Sequence, residues 1–267
     1  GATDFNCRGS ANTVYVKLGS NSTDGGLNEC EGATMATAIA SGRKNIVIRD
    51  GNLTLDATLV VPDGVTIDAS ASSNKNTTIT CPKDQDCVRL EGSGRLKGLV
   101  LKGGGKHGVV ASAGALWLEN VTVTGMAGDG VHVEGAASIL VQKTKITNNA
   151  GRGLYAKGIG ALSVIDPVYA PSPFSEGNPI GVIDPVYSPA SEVLGNGQGG
   201  IAVIDPVYSP KSDKTAEAIT ITSTKISDNG RYGIGLWSAA LTLKNSLVTG
   251  TKATKEGPWA DGALVAK

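Results

Sequence analysis

A glycine step recurs through the middle and end of this chain. Gly108-Val-Val-Ala, Gly130-Val-His-Val, Gly153-Leu-Tyr-Ala, Gly200-Ile-Ala-Val and Gly233-Ile-Gly-Leu share one pattern, at intervals of 22, 23, 47 and 33 residues. The interval of 47 reads as about two of the shorter periods. A period of this length is the mark of a solenoid, in which each repeat hides its apolar face only by stacking on a neighbour. Such a chain forms a rod, and its function is expected on the flanks, loops or ends.

The apolar residues take up positions around the glycine. Strand side chains alternate between faces, so Val109, Val131, Leu154, Ile201 and Ile234 should point inward. Two residues later, Ala111, Val133, Ala156, Val203 and Leu236 should do the same. A second strand repeats the habit in Leu116/Leu118, Ile139/Val141, Ile219/Ile221 and Leu241/Leu243, and a third column holds Val123, Ile146, Ile226 and Val248. Three short strands per turn predict parallel strands stacked about 4.8 Å apart. The helix candidate is residues 32–41, with Met35 and Ile39 on one face and Gly42 as the stop.

The 267 residues include 37 glycines and only 4% aromatics, which suits many turns around a core of small aliphatics. Lys+Arg and Asp+Glu are both 24, so the positive excess that nucleic-acid binding requires is missing. No run of 18 apolar residues predicts a membrane span. Cys81 and Cys87 close a short polar loop, and Cys7 is positioned to clamp Cys30. Two disulfides and an oxidising, extracellular compartment are expected, with four reduced thiols as the other reading.

The whole pattern resembles the right-handed parallel β-helix of the pectate-lyase-like superfamily. Residues 32–41 resemble that family's capping helix, and Leu59-Val-Val-Pro-Asp-Gly-Val-Thr-Ile-Asp68 resembles its first coil. The resemblance covers about residues 44–250. It implies one all-β domain over 1–267: a right-handed parallel β-helix solenoid with an N-terminal strand and short capping helix in 1–43, coils in 44–250 and an end segment in 251–267. The family's Trp-Ile-Asp-His and Arg-x-Pro-x-x-Arg motifs are missing, as are the hydrolase segments Asn-Thr-Asp, Asp-Asp and Gly-His-Gly. No family catalytic residue therefore carries over, and a scaffold does not fix chemistry.

The register also aligns the outward positions. His107, Asp129, Arg152, Gly199 and Tyr232 precede the glycines. Val110, His132, Tyr155, Ala202 and Gly235 lie between the two apolar columns, followed by Ser112, Glu134, Lys157, Ile204 and Trp237. Lys106, His107, Asp129, His132, Glu134, Arg152, Tyr155 and Lys157 should thus share one flank. His132, Glu134, Arg152, Tyr155 and Lys157 are the candidate catalytic set for β-elimination of a uronic-acid sugar. In that reaction a base takes the C5 proton, and cations or Ca²⁺ stabilise the developing enolate. Lys106, His107, Asp129 and Trp237 are candidate ligand contacts. The same charges also read as a solvated flank of cross-strand pairs. Gly103-x-Gly105-x-x-Gly108 matches a dinucleotide fingerprint, but a strand follows it where a helix is required.

The hexapeptide Val-Ile-Asp-Pro-Val-Tyr occurs identically at 164–169, 182–187 and 203–208. Proline cannot donate to a ladder, so each Asp-Pro should mark a strand leaving its sheet. If the copies are in register, Asp166, Asp184 and Asp205 stack, as do Tyr169, Tyr187 and Tyr208. Stacked carboxylates need a cation such as Ca²⁺, and stacked tyrosines offer faces to sugars. The plainer reading is a turn built on Asp-Pro. The expectation is a secreted or cell-surface protein that binds polysaccharide or another extracellular partner along one flank. The alternatives are a lyase on uronic-acid polymers and a subunit that associates end to end, since an open solenoid end can stack on another copy.

Overall fold

The computed structural model describes residues 11–17, 34–71, 77–135, 138–165, 191–205, 219–239, 241–251 and 262–266. Three parallel sheets wind around one core. The front sheet carries the glycine step. Its strands are Leu59–Val61, Val88–Leu90, Val109–Ala111, Val131–Glu134, Arg152–Lys157, Gly199–Ile204, Tyr232–Trp237 and Gly262–Ala266, paired in that order. A nine-stranded sheet runs from Thr13–Lys17 to Thr242–Lys244, and a third sheet runs from Leu53–Thr54 to Leu247–Thr249. Each turn of the chain visits the front, nine-stranded and third sheets in sequence, so the fold is an all-β parallel β-helix. The core columns stack in register as expected. Val109 pairs with Val131, Val131 with Leu154, Leu154 with Ile201 and Ile201 with Ile234. Val131, Leu154 and Ile234 are each 0% exposed.

The glycine step has a steric cause. A Cβ on Gly108, Gly130, Gly153 or Gly200 would strike the side chain of Val123, Ile146, Val193 or Ile226 respectively. It would also press on the carbonyl of the next glycine in the column. The glycines therefore mark where the front sheet's approach runs hard against the third sheet.

At the N-terminal end the helix is Met35–Ala40, shorter than the predicted span. Thr34 caps it by accepting from the Thr37 N–H at 3.2 Å. Met35 and Ala38 join Val14 and Val16 in the core, so the helix closes this end. At the other end the strand Gly262–Ala266 adds a front-sheet rung beyond residue 250. Leu243, expected inward, is 40% exposed, and Leu264, in register with Ile234, is 54% exposed. Among the described residues no further rung of their sheets covers them.

Two readings of the repeat change. The 47-residue interval is one turn, because Arg152–Lys157 pairs directly with Gly199–Ile204. The extra length falls between Ala161–Ile165 and Ser191–Leu194. The 33-residue interval is likewise one turn, with its excess between Gly199–Ile204 and Ile219–Thr222. Two of the hexapeptide copies start at these two departures, on different sheets. Val164 pairs with Val141 and Ile221 in the nine-stranded sheet, whereas Val203 pairs with Ala156 and Leu236 in the front sheet. The in-register condition for a stacked aspartate ladder is therefore not met by the first and third copies. Asp205 is exposed, with φ of 44°, and its N–H donates to the Trp237 carbonyl at 3.0 Å. Asp166, Asp184, Tyr169, Tyr187, Tyr208, Cys7 and Cys30 lie outside the described residues. The Cys81–Cys87 disulfide forms as expected.

Inside the coil, Asn149, Asn196 and Asn229 build a buried amide ladder. Asn149 Nδ2 donates to Asn196 Oδ1 at 3.0 Å, and Asn196 Nδ2 donates to Asn229 Oδ1 at 2.9 Å. Each amide also donates to a backbone carbonyl, of Val123, Ile146 and Val193 in turn. Each accepts a backbone N–H from the preceding coil, from Met126, Asn149 and Asn196.

Candidate functional site

The outer face of the front sheet brings the predicted flank together. His107 sits on a segment seated against the disulfide loop. The Lys106 N–H donates to the Gln85 carbonyl at 2.6 Å, and the Cys87 N–H donates to the His107 carbonyl at 2.8 Å. One coil on, Asp129 is the hub. Its side chain is only 7% exposed. Oδ2 accepts from His132 Nδ1 at 2.8 Å, and Oδ1 accepts from the Arg152 N–H at 2.7 Å. The Asp129 N–H donates to His107 Nδ1 at 2.9 Å. These bonds set both neutral tautomers. His107 keeps its proton on Nε2, whereas His132 gives its Nδ1 proton to the carboxylate and is left with a lone pair on Nε2. Glu134 Oε1 stands 3.7 Å from that Nε2.

His132 and Tyr155 are register partners one rung apart, and His107 joins them from the pre-glycine position of the preceding coil. His107 stacks on His132 at 4.4 Å, and His132 stacks on Tyr155 at 4.7 Å. The Arg152 guanidinium lies 4.3 Å over the Tyr155 ring and 3.9 Å from Asp129 Oδ2. Tyr155 occupies an outward register position yet is buried, since His132 and Arg152 cover its ring. Further along the same face, Tyr232 and Trp237 meet edge to face at 5.8 Å.

The electrostatics follow from this packing. Burial pushes the Asp129 carboxyl up, but the His132 hydrogen bond, the Arg152 N–H and the Arg152 charge together outweigh it and hold the group below its ordinary value. Burial and then the neighbouring His132 lower His107, against the pull of Asp129 and Asp86. Burial and Glu134 raise the Tyr155 hydroxyl, and burial raises that of Tyr232. The resulting site holds an ionised aspartate, an imidazole hydrogen-bonded to it, a protonated tyrosine and a fixed guanidinium.

No family model and no curated protein matches the chain. Among solved structures it is similar to a crystal structure of pectate lyase Pel9A. The TM-score is 0.48 at 11% sequence identity, covering 94% of this chain and 78% of that one. The fold given above rests on the strand ladders of this chain alone.

His107, Asp129 and His132 place three donor atoms within 4.8 Å of one another, the spacing of a metal site. The ring geometry opposes that use. The two imidazoles stack at 29° to each other, so their in-plane lone pairs run side by side. Both Nδ1 atoms are already engaged, with the Asp129 N–H and the Asp129 carboxylate. Ca²⁺ takes six to eight oxygen ligands, and this cluster offers one carboxylate, so the donor set does not suit it. The cluster is a hydrogen-bonded array.

Of the predicted residues, His107, Asp129, His132, Arg152 and Tyr155 form the array and Glu134 borders it. Lys157 is exposed opposite Glu134 in the register, and Lys106 is exposed beside His107. Trp237 lies on the same sheet with Tyr232. Two contributors were not singled out from sequence. Tyr232 stands in the same pre-glycine column as Arg152. Asp86 stands two residues before Val88, as His107 stands two before Val109, so Asp86, His107, Asp129 and Arg152 share one column. Asp86 Oδ2 meets Arg89 at 3.1 Å.

Proposed function

We propose that the front sheet binds an acidic polysaccharide lengthwise, outside the cell. The observation that carries this reading is the column of polar ring edges, His107, His132 and Tyr155, with Arg152 fixed beside it. A repeating polymer suits a surface that presents one hydrogen-bonding group per rung, and a held guanidinium suits a carboxylate. The Cys81–Cys87 disulfide supports an oxidising compartment. Titration calorimetry with polygalacturonate, alginate and glycosaminoglycans tests the reading. Binding to one of them is expected, weakened about tenfold in Arg152→Ala, since an ionic hydrogen bond is worth about 1.5–3 kcal/mol. No binding to any of the three polymers would end it.

The Asp129–His132 bond favours a second reading, a lyase on the same polymers. An aspartate that orients a histidine is the arrangement of a general base. His132 Nε2 would take the C5 proton while Arg152 neutralises the uronate. The C4–O bond then breaks, a C4=C5 double bond forms, and the leaving oxygen takes a proton from the Tyr155 hydroxyl. Near-ultraviolet absorbance of the unsaturated product is the assay. A signal in the wild type that is lost in His132→Ala supports the lyase, and a flat trace on polymers that bind removes it.

A further inference from the structure

The two coils of the front sheet that follow Arg152–Lys157 depart from the pattern of the site coils. At the outward positions where earlier rungs hold Arg152, His132 and Tyr155, they hold Gly199, Ala202 and Gly235. These small residues are not idle. A Cβ on Gly199 would stand 2.5 Å from Tyr232 Cε2 and Cζ, and one on Gly235 would stand 2.6 Å from Trp237 Cη2 and 3.2 Å from Tyr232 Cε2. The Tyr232 ring therefore reaches back over Gly199 toward the Arg152 coil, and the Trp237 indole lies across Gly235. The Arg152 charge acts on the Tyr232 hydroxyl, which places the two groups together. The aromatic pair thus stands on the same sheet, beyond the end of the His107–His132–Tyr155 column.

We propose that the Gly199/Gly235 shelf makes an aromatic subsite, two coils beyond Tyr155, in which Trp237 takes the C–H face of a pyranose ring. The chemistry differs from that of the site coils. There, rings stack on one another and offer their edges and polar atoms. On the shelf the Cη2–Cζ3 side of the Trp237 indole rests over Gly235, and the side chain is half-exposed. Sugars present hydrogen-bonding edges and apolar C–H faces, so the two parts of the sheet suit two aspects of one chain. Tyr232 joins them as a positioning residue, reaching Arg152 through the gap at Gly199. The inference rests on the acidic-polysaccharide reading and adds a length requirement: a ligand must span two rung spacings, roughly 10 Å at 4.8 Å per rung, to reach from Tyr155 to Trp237.

The test is calorimetry with oligogalacturonates and oligoalginates of two to eight sugars, on wild type, Trp237→Ala, Trp237→Phe and Gly235→Val. For wild type, affinity should climb with length until the shelf is reached. Trp237→Ala should lose about tenfold on the longest oligomers, the scale of one aromatic contact, and nothing on the shortest. Trp237→Phe should keep most of the affinity, and Gly235→Val, which displaces the indole, should match Trp237→Ala. Equal affinity of wild type and Trp237→Ala for every length, with binding retained, overturns the shelf and leaves the polysaccharide reading standing. A uniform loss at all lengths overturns the shelf too, since it points to a general disturbance of the sheet. No binding by the wild type removes both.

Discussion

The molecule carries two side-chain ladders built on the same geometry, one inside the coil and one outside. Asn149, Asn196 and Asn229 repeat a single residue type, and the central Asn196 amide is bonded to the asparagine on either side and to the backbone. His107, Asp129, His132 and Tyr155 are equally well stacked, but every rung differs. The histidines and the tyrosine keep hydrogen-bonding atoms beyond those used within the ladder. Repetition of one residue closes a ladder on itself and makes it structural. Variation from rung to rung leaves valences turned outward and makes it a site. Both depend on the parallel register, which is why a single fold supplies both.

The largest effect that would sharpen this contrast is expected from Asn196→Leu. It strips the centre of the inner ladder and leaves the Asn149 N–H without its acceptor. A loss of about 3–5 kcal/mol is expected, because a buried network fails as a unit. Urea denaturation measures it, while polysaccharide affinity of the folded fraction should stay as in wild type. A stability close to wild type would mean that the amides are incidental.

Asp129→Asn comes next. At neutral pH it removes a charge that accepts from His132 and Arg152, at a cost of about 1–3 kcal/mol, and ligand binding or turnover should fall with it. The sign in acid is fixed by the lowered carboxyl. A depressed folded-state value stabilises the fold above the ordinary 3.8 and loses that contribution as pH falls through the lower value. Wild type and variant should therefore converge in stability below about pH 4. If Asp129→Asn cost more than Asn196→Leu at pH 7, the outer ladder would be structural after all and the contrast would break.

His107→Gln should be the mildest. The lowered His107 disfavours its own charging in the fold, so stability is full above the ordinary 6.5 and declines as pH falls below it. Glutamine still accepts from the Asp129 N–H without titrating. The variant should show a flatter stability profile below about pH 6.5, with a change at neutral pH under about 1 kcal/mol. Identical profiles would mean that His107 is not desolvated as its packing implies.

Much of this was legible in the residues. The glycine step fixed the front sheet, and counting two before and one after each inward residue brought His107, Asp129, Arg152, His132 and Tyr155 to one face. What failed was the arithmetic of length. A turn that holds a long excursion still closes on the same rung, so 47 residues are one period. The asparagines carried a signal that went unread: Asn149, Asn196 and Asn229 each stand four residues before a step glycine, as Met126 stands before Gly130. Burial of Tyr155 was not readable, because it depends on which neighbours lean over it. Exposure of Leu243 and Leu264 was not readable either, because an apolar column looks the same at its middle and at its end.

The strands that flank residues 166–190 and 206–218 pair in the same register as the strands of the shorter turns. Pairing is decided by the strand that arrives, whatever the size of the detour before it. Closing a longer detour costs only logarithmically more entropy. Such junctions are natural splice points. A foreign peptide placed there would join two rungs whose pairing need not know its length.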